Sequence, residues 1–352
     1  MINKNCDLGA FVGIPVIDIS KLKTNASQLE LERLSGSIAA ACQEYGFFMV
    51  RNHGINTNLL NDLLKVAMKF FSQTEEEKLA ISMVNSGLSW RGYFPLGQEL
   101  TADKPDAKEG LYFGREEKVL YKATKRIPLT GPNQFPGQLP SMKPLVLSYL
   151  NELEALAGDL LETFAIALLG YSQRKFFKRQ FRDSPTILFR LFNYVNTQQN
   201  TGWGVGEHTD YGFLTLLYQD QAGGLQVKTL SNNWIDVEPL KDAFVVNIGD
   251  MLELWSGGRF IATPHRVKPP KPGKSRISMP FFFDPAYDAV LQAISSESFS
   301  PTYQKVTLPK EFKRWDGIDL NKNSQFPFET YGEYLWHKVS QVFPDLAKSS
   351  AN

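Results

Sequence analysis

Cysteine is nearly absent from this chain, with Cys6 and Cys42 the two among 352 residues. That excludes a disulfide framework and fits a reducing compartment. Neither sign of charge is in excess, since 38 basic and 37 acidic residues give a formal net charge of +1, and no run of like charges stands out. The balance gives no electrostatic case for nucleic acid or an anionic membrane, although a small anion could be held locally. Long apolar runs are missing too. No stretch approaches the roughly 18 residues of a membrane span, and Met1–Leu8 carries Asn, Lys and Asp where a secretory signal needs an apolar core. Internal repeats, low-complexity segments and flexible linkers are likewise not found. The expectation is a cytoplasmic monomer, a single compact unit over residues 1–352 with no nucleic-acid or membrane partner. Histidine is scarce as well, with 4 in the chain, and so short a list allows elimination.

What is present reads as helices first and strands afterwards. Ile14-Pro-Val-Ile-Asp-Ile-Ser20 alternates apolar and polar residues after a proline and predicts a strand. Ser27-Gln-Leu-Glu30 fits a capping box, and Leu31, Leu34, Ile38, Ala41 and Tyr45 then repeat at helical spacing until Gly46. Phe47–Val50 predicts a short buried strand, the stretch from about Asn58 through Phe71 a second amphipathic helix, and Glu75–Lys78 a further helical turn. Residues 86–114, around Arg91-Gly-Tyr-Phe-Pro95, read as a long ordered loop. Leu145, Tyr149, Leu153, Leu156, Leu160, Phe164 and Ala167 keep a period near 3.6, which predicts a long helix over 142–169 ended by Gly170.

From Thr186 to Asp284 the pattern changes to short segments rich in Val, Ile, Phe and Thr, separated by turn residues. Expected strands are Ile187–Tyr194, Phe213–Tyr218, Leu225–Lys228, Trp234–Val237, Ala243–Ile248, Met251–Trp255, Phe260–Val267 and Ser275–Phe283, and one last helix follows over Tyr331–Phe343. The regular spacing predicts an α+β fold with a mainly β core, a jelly roll over about 180–290, carrying a helical N-terminal portion and a long supporting helix.

The chemistry centres on Gly206-Glu-His-Thr-Asp-Tyr-Gly212. In extended backbone His208 and Asp210 point to one face, and together they supply two thirds of a 2-His-1-carboxylate iron site. Of the other histidines, His53 closes a strand in the helical half and His337 lies on the last helix, both fitting capped or surface roles. His265, late in the β region, remains as third ligand. The competing reading makes His208 a turn residue and His265 a core histidine. Arg276 and Ser278 share a strand face beginning 11 residues further on, across a turn that predicts a hairpin with the His265 strand. A buried arginine needs an anionic partner. Asp250 or Asp284 could supply one, or the carboxylate of a small ligand could be gripped bidentately.

These residues, with Pro264-His-Arg266, Ile14–Ser20, Ala41-Cys-Gln-Glu-Tyr-Gly-Phe-Phe48, Asn52-His-Gly-Ile55, Arg91-Gly-Tyr93 and Gly131-Pro-Asn133, are similar in kind and order to the Fe(II)- and 2-oxoglutarate-dependent dioxygenases of the isopenicillin N synthase-like family. The resemblance implies a double-stranded β-helix over 180–290 behind an N-terminal region at 10–120. It places Fe(II) on His208, Asp210 and His265, and the distal carboxylate of 2-oxoglutarate on Arg276, Ser278 and Tyr194. It also implies O2 and, as an accessory, ascorbate. The chain departs from many plant members at Phe192, where they carry an asparagine.

The reaction so implied is oxidation of a small organic molecule, by default hydroxylation, with release of succinate and CO2. Arg91 and Tyr93 on the predicted loop, and Phe282 on the strand face of Arg276, are the candidate substrate residues. Two alternatives stay open: an iron oxidase of the same fold that uses no 2-oxoglutarate, and a non-catalytic ligand-binding protein.

Overall fold

The computed structural model describes residues 13–101, 104–117, 127–181, 184–196, 202–291, 293–309 and 328–343. Cys6, the Met1–Leu8 segment and the tail beyond residue 343 lie outside them. In chain order the elements are β1 (Val16–Asp18), α1 (Gln28–Glu44), β2 (Phe47–Arg51), α2 (Thr57–Phe71), α3 (Glu75–Leu79), β3 (Gly92–Phe94), β4 (Leu100–Thr101), β5 (Lys104–Pro105) and β6 (Lys108–Gly114). There follow α4 (Met142–Leu169), α5 (Phe176–Phe181), β7 (Thr186–Val195), β8 (Val205–His208), β9 (Leu214–Gln219), β10 (Leu225–Lys228), β11 (Trp234–Asp236) and β12 (Phe244–Ile248). The last are α6 (Asp250–Trp255), β13 (His265–Val267), β14 (Ser275–Asp284) and α7 (Tyr331–Val342).

Two sheets form the jelly roll. The larger has the order β1-β2-β12-β9-β14-β7-β6-β3, and the smaller the order β11-β10-β13-β8. Every pairing in them is antiparallel except that of β1 with β2. The N-terminal strands β1 and β2 therefore extend the same sheet that carries β7, β9 and β14.

The helices form where the sequence signals place them. At α1 the Ser27 hydroxyl accepts from the Glu30 N–H at 3.3 Å while the Glu30 carboxylate accepts from the Ser27 N–H at 2.9 Å, satisfying two backbone donors that a helix start otherwise leaves free. The long helix α4 lies against β9 and β14, and α1 and α2 pack on it in turn. Leu153, Leu156 and Leu160 of α4 are fully buried, each contributing roughly 1.5–3 kcal/mol of apolar burial.

Strand alternation divides β7 and β14 between core and cavity. Phe189 meets Tyr149 of α4 with ring centroids 4.9 Å apart, and Phe283 stacks on Phe181 of α5 at 4.9 Å. On the opposite face Arg190, Phe192 and Tyr194 of β7, with Arg276, Ser278 and Phe282 of β14, line the space between the sheets.

Three expectations are overturned. Residues 86–114 are not simply a loop, because β3 and β6 within them pair with each other, and β6 pairs with β7, to finish the large sheet. All seven residues of β6 are buried, Lys108 and Glu109 included, so no alternation of polar and apolar residues marks it. Met251–Trp255 belongs to the helix α6, six buried residues after Gly249, too short an apolar run for periodicity to separate helix from strand. Finally, His265 and Arg276 do not share a hairpin. Only His265–Val267 of the expected strand is extended, and it pairs with β8 and β10 in the small sheet, whereas β14 lies in the large one. The turn between them crosses from sheet to sheet, and the two side chains face each other across the cavity.

A buried carboxyl ties the end of β14 to its neighbours. Asp284 accepts from the Phe213 N–H at 2.7 Å and from the Tyr331 hydroxyl of α7 at 2.7 Å. Burial nevertheless pushes its carboxyl up to about 7 from an ordinary 3.8, against the pull of those two hydrogen bonds. Between about pH 4 and 7 the folded chain then keeps a proton that the unfolded chain has released, so stability falls as pH rises through that window. Denaturant midpoints between pH 4 and 8 are expected to show a slope of up to about 1.4 kcal/mol per pH unit that Asp284→Asn removes. Parallel curves for the two proteins would contradict this.

Candidate active site

His208 ends β8 and His265 begins β13, and the two are direct partners in the antiparallel register. Their ring centroids stand 4.2 Å apart. Each ring is fixed through Nδ1, which lies 2.8 Å from the Gly206 carbonyl in His208 and 3.1 Å from the Thr263 carbonyl in His265. A carbonyl accepts only, so in both rings Nδ1 carries the proton and Nε2 presents a lone pair. Burial drives the pKa of both imidazoles down, His265 to about 4, with the adjacent His208 adding to the effect. Both are neutral, as metal ligands must be.

Asp210 completes the face. Its Oδ1 lies 3.9 Å from His208 Nε2 and 3.8 Å from His265 Nε2, while Oδ2 accepts from the Thr215 hydroxyl at 2.5 Å and the Asn247 amide at 2.7 Å. Burial opposes the charge, but the hydrogen bonds from Asn247 and Thr215 help to hold the carboxyl below its ordinary range. One ligand atom from each of the three residues falls within 4.8 Å of the others. Two neutral imidazoles and one oriented carboxylate on a single face fit a divalent first-row ion and leave its other positions directed at the cavity.

Thr215 and Asn247 escaped the reading of the sequence, yet they pair with each other across β9 and β12. Asn247 is the single polar residue of β12, whereas Thr215 shares β9 with Gln219. The Asp210 turn is packed tightly behind them: the Asp250 N–H donates to the Asp210 carbonyl at 2.8 Å and the Met251 N–H to the Gly212 carbonyl at 3.0 Å. A Cβ on Gly249 would stand 2.2 Å from the Gly212 carbonyl oxygen and 2.8 Å from that of Asp210. Gly249→Ala must push the ligand turn aside, and a loss of about 3 kcal/mol is expected in urea unfolding. A midpoint unchanged from wild type would show that the turn yields freely.

Across the cavity Arg276 is buried and its charge is unmatched. Its Nη2 donates to Gln219 Oε1 at 2.7 Å, but Nε and Nη1 have no hydrogen-bond partner, and among the described residues no carboxylate lies within ion-pair distance. Asp284 is engaged as described, and Asp250 accepts from the Tyr334 hydroxyl at 2.6 Å with Lys338 at 3.9 Å. Neither is the partner of Arg276. The Ser278 hydroxyl donates to the Tyr194 hydroxyl at 3.2 Å, and the guanidinium stands 4.7 Å over the Tyr194 ring. Orphaned donors on a buried guanidinium, with two hydroxyls alongside, fit a bound carboxylate. Phe192 offers that carboxylate no polar atom; its ring lines the cavity with Lys108 Nζ 4.7 Å above it.

The cavity holding both clusters has a volume of about 130 Å³ and opens to solvent at its mouth. Phe282 lines it, as does Tyr211, which was not anticipated. Tyr93 does not: its hydroxyl donates to Glu109 at 2.6 Å on the far side of β6, beside Lys78. Arg91 lies in a smaller adjoining hollow, where Nη2 donates to the Leu129 carbonyl at 2.6 Å. His53 is buried, its Nδ1 accepting from the Ile55 N–H at 3.0 Å, and His337 is on α7.

A jelly roll presenting two histidines and an aspartate on one face defines a mononuclear non-haem iron centre. Comparison with known proteins gives the family. Residues 14–138 match the profile described as non-haem dioxygenase in morphine synthesis N-terminal, and residues 186–285 that of the 2OG-Fe(II) oxygenase superfamily. The chain is 37% identical to a Dictyostelium discoideum protein named "Probable iron/ascorbate oxidoreductase", covering 95% of each chain. It is 33% identical to a homoarginine-6-hydroxylase of Glycine max, covering 96% of this chain and 99% of the relative. The crystal structure of a full-length Neurospora crassa protein in complex with alpha-KG, which is 2-oxoglutarate, superposes with a TM-score of 0.73 at 27% identity, covering 93% of this chain and 96% of that one.

The chain belongs to the 2OG-Fe(II) oxygenase superfamily, in its isopenicillin N synthase-like branch. It is an Fe(II)- and 2-oxoglutarate-dependent dioxygenase that oxidises a small organic molecule. Among the described residues no helix is long and apolar enough to cross a membrane.

Proposed function

We propose that His208, Asp210 and His265 hold Fe(II), that Arg276, Ser278 and Tyr194 hold the distal carboxylate of 2-oxoglutarate, and that the reaction is hydroxylation of a C–H bond. The observation carrying this reading is the buried Arg276 guanidinium with two unpartnered donors, facing the same cavity as the three-ligand face. Iron, once bound, supplies the redox chemistry by which R–H, O2 and 2-oxoglutarate become R–OH, succinate and CO2.

The protein's own share is positional. The Gly206 and Thr263 carbonyls keep the Nε2 lone pairs aimed at the metal, and Thr215 with Asn247 holds Asp210 in one orientation. The Arg276 fork fixes one end of the ketoacid so that the other end reaches the iron. Aromatic side chains from Phe282 and Tyr211 exclude water from the remaining space. The name of the Glycine max relative, a hydroxylase, supports hydroxylation as the outcome. The test is succinate formation by purified protein reconstituted anaerobically with Fe(II), then given 2-oxoglutarate and air. Slow turnover without added substrate is expected, and failure to bind 2-oxoglutarate at millimolar concentration would overturn the reading.

A further inference from the structure

The side chains of β7 that enter the cavity form a row, Arg190, Phe192 and Tyr194. At about 3.3 Å per residue, Arg190 stands roughly 13 Å along the strand from Tyr194, at the opposite end from the Arg276 cluster. Across the sheet, Thr215, which anchors Asp210, pairs with Phe282 of β14, and β14 in turn pairs with β7. Arg190 therefore lies about two strand spacings, roughly 10 Å, from the strand that anchors the metal ligand.

Arg190 is 5% exposed. Among the described residues its one hydrogen bond is a long one, from Nη1 to the Phe189 carbonyl at 3.4 Å. The guanidinium otherwise stacks 3.5 Å from the centre of the Tyr112 ring and 5.6 Å from that of Phe282. No carboxylate among the described residues lies within ion-pair distance. Those nearby are engaged elsewhere: Glu99 with Lys108 at 2.9 Å and the Tyr112 hydroxyl at 2.8 Å, Asp106 with Lys108 at 2.7 Å, and Asp284 with Phe213 and Tyr331.

A second guanidinium stands behind the first. Arg91 shares the small adjoining hollow with Arg190, is itself buried, and leaves Nε without a partner. Its pKa is lowered to about 9, by burial first and by the like charge of Arg190 second, with Glu117 and Glu116 opposing, so it stays charged at neutral pH. Two buried guanidiniums with no carboxylate between them among the described residues are costly to keep, and stacking on Tyr112 compensates only part of that. A site that tolerates such an excess is matched to an incoming anion.

We propose that Arg190, with Arg91 behind it, binds a carboxylate of the organic substrate, placing the substrate between the metal face and β7 with Phe282 and Tyr211 as aromatic walls. The assignment rests on the 2-oxoglutarate reading above, in which Arg276 is occupied by the cosubstrate and is not free for the substrate. It makes the substrate class a small organic acid.

The test uses the full chain loaded anaerobically with Fe(II) and saturated with 2-oxoglutarate, so that Arg276 is already filled. Matched acids and amides are titrated by calorimetry: homoarginine and homoarginine amide, phenylacetate and phenylacetamide, indole-3-acetate and indole-3-acetamide. At least one acid is expected to bind about 10-fold or more tightly than its amide, the preference a charge-assisted pair confers. Arg190→Met is expected to erase that preference, and Arg190→Lys, which keeps the charge but not the fork, to restore part of it. Partial rescue by lysine separates recognition from a packing defect. Amides binding as well as acids, no acid binding at all, or Arg190→Met retaining the wild-type preference would each overturn the proposal. Failure of the functional reading shows elsewhere, in the prior titration of wild-type protein with 2-oxoglutarate.

Discussion

Asp210→Asn is expected to leave a folded protein that retains little iron and forms succinate at least about 10³-fold more slowly than wild type. The estimate takes the metal's contribution as several kcal/mol, with a factor of ten in rate for about each 1.4 kcal/mol. The two oxygens of Asp210 do different jobs, and this substitution separates them. Oδ2 accepts from Thr215 and Asn247, and an amide oxygen can take over that acceptance. Oδ1 stands between the two Nε2 atoms, where an amide NH2 offers protons to lone pairs that should face a cation.

Asp210→Ala is harsher. It removes the acceptor as well, leaving the buried Thr215 hydroxyl and Asn247 amide unsatisfied at about 1–3 kcal/mol each. Iron content after anaerobic reconstitution, succinate release and urea unfolding, measured on both variants, discriminate the roles. An asparagine variant holding iron at wild-type stoichiometry would show that the two histidines suffice. An alanine variant as stable as wild type would show that water replaces the lost acceptor.

The residues proposed to hold the metal and the ketoacid were legible in the sequence because their spacing is local. His208 and Asp210 are two residues apart, Arg276 and Ser278 likewise, and a scarcity of histidine pointed to His265. The capping boxes and α4 were legible for the same reason, since a helix records its own period.

What escaped depends on partners distant in the chain. The alternation of β6 is hidden because Lys108 and Glu109 are buried, neutralised by Asp106, Glu99 and Lys78. The pairing of His265 with His208 in place of the Arg276 strand is a matter of sheet membership, which no turn sequence encodes. Tyr93 shows the limit from the other side, since a segment can carry an aromatic residue near a site while its strand turns that residue away from it. Arg190 lies in the apolar run Ile187–Phe192 as a lone charge. That was visible, and only the absence of an ion-paired carboxylate around it among the described residues gives it meaning.

Arg276→Met is expected to raise the 2-oxoglutarate concentration needed for half-maximal succinate formation by about 100-fold or more, while leaving the ligand-free protein no less stable. The first effect is the loss of a bidentate, charge-assisted contact in a buried setting, worth about 1.5–3 kcal/mol per bond. The second follows from what the structure lacks. A buried guanidinium with no carboxylate partner and two unsatisfied nitrogens costs several kcal/mol of desolvation, and a thioether of similar length removes that cost while filling most of the space.

The two effects have opposite signs, and together they distinguish a ligand site from a structural ion pair. Were Arg276 holding the fold together, its removal would lower the urea midpoint without ligand. If it waits for a dicarboxylate, added 2-oxoglutarate should stabilise the wild type according to its binding constant and fail to stabilise the variant. Arg276→Lys keeps the charge as a point donor and loses the fork, so its affinity should fall between the two. Equal stabilisation of wild type and methionine variant by 2-oxoglutarate would place the distal carboxylate elsewhere in the cavity, with Lys108 the next cation to examine, although its ion pairs with Asp106 and Glu99 leave it far less charge to offer.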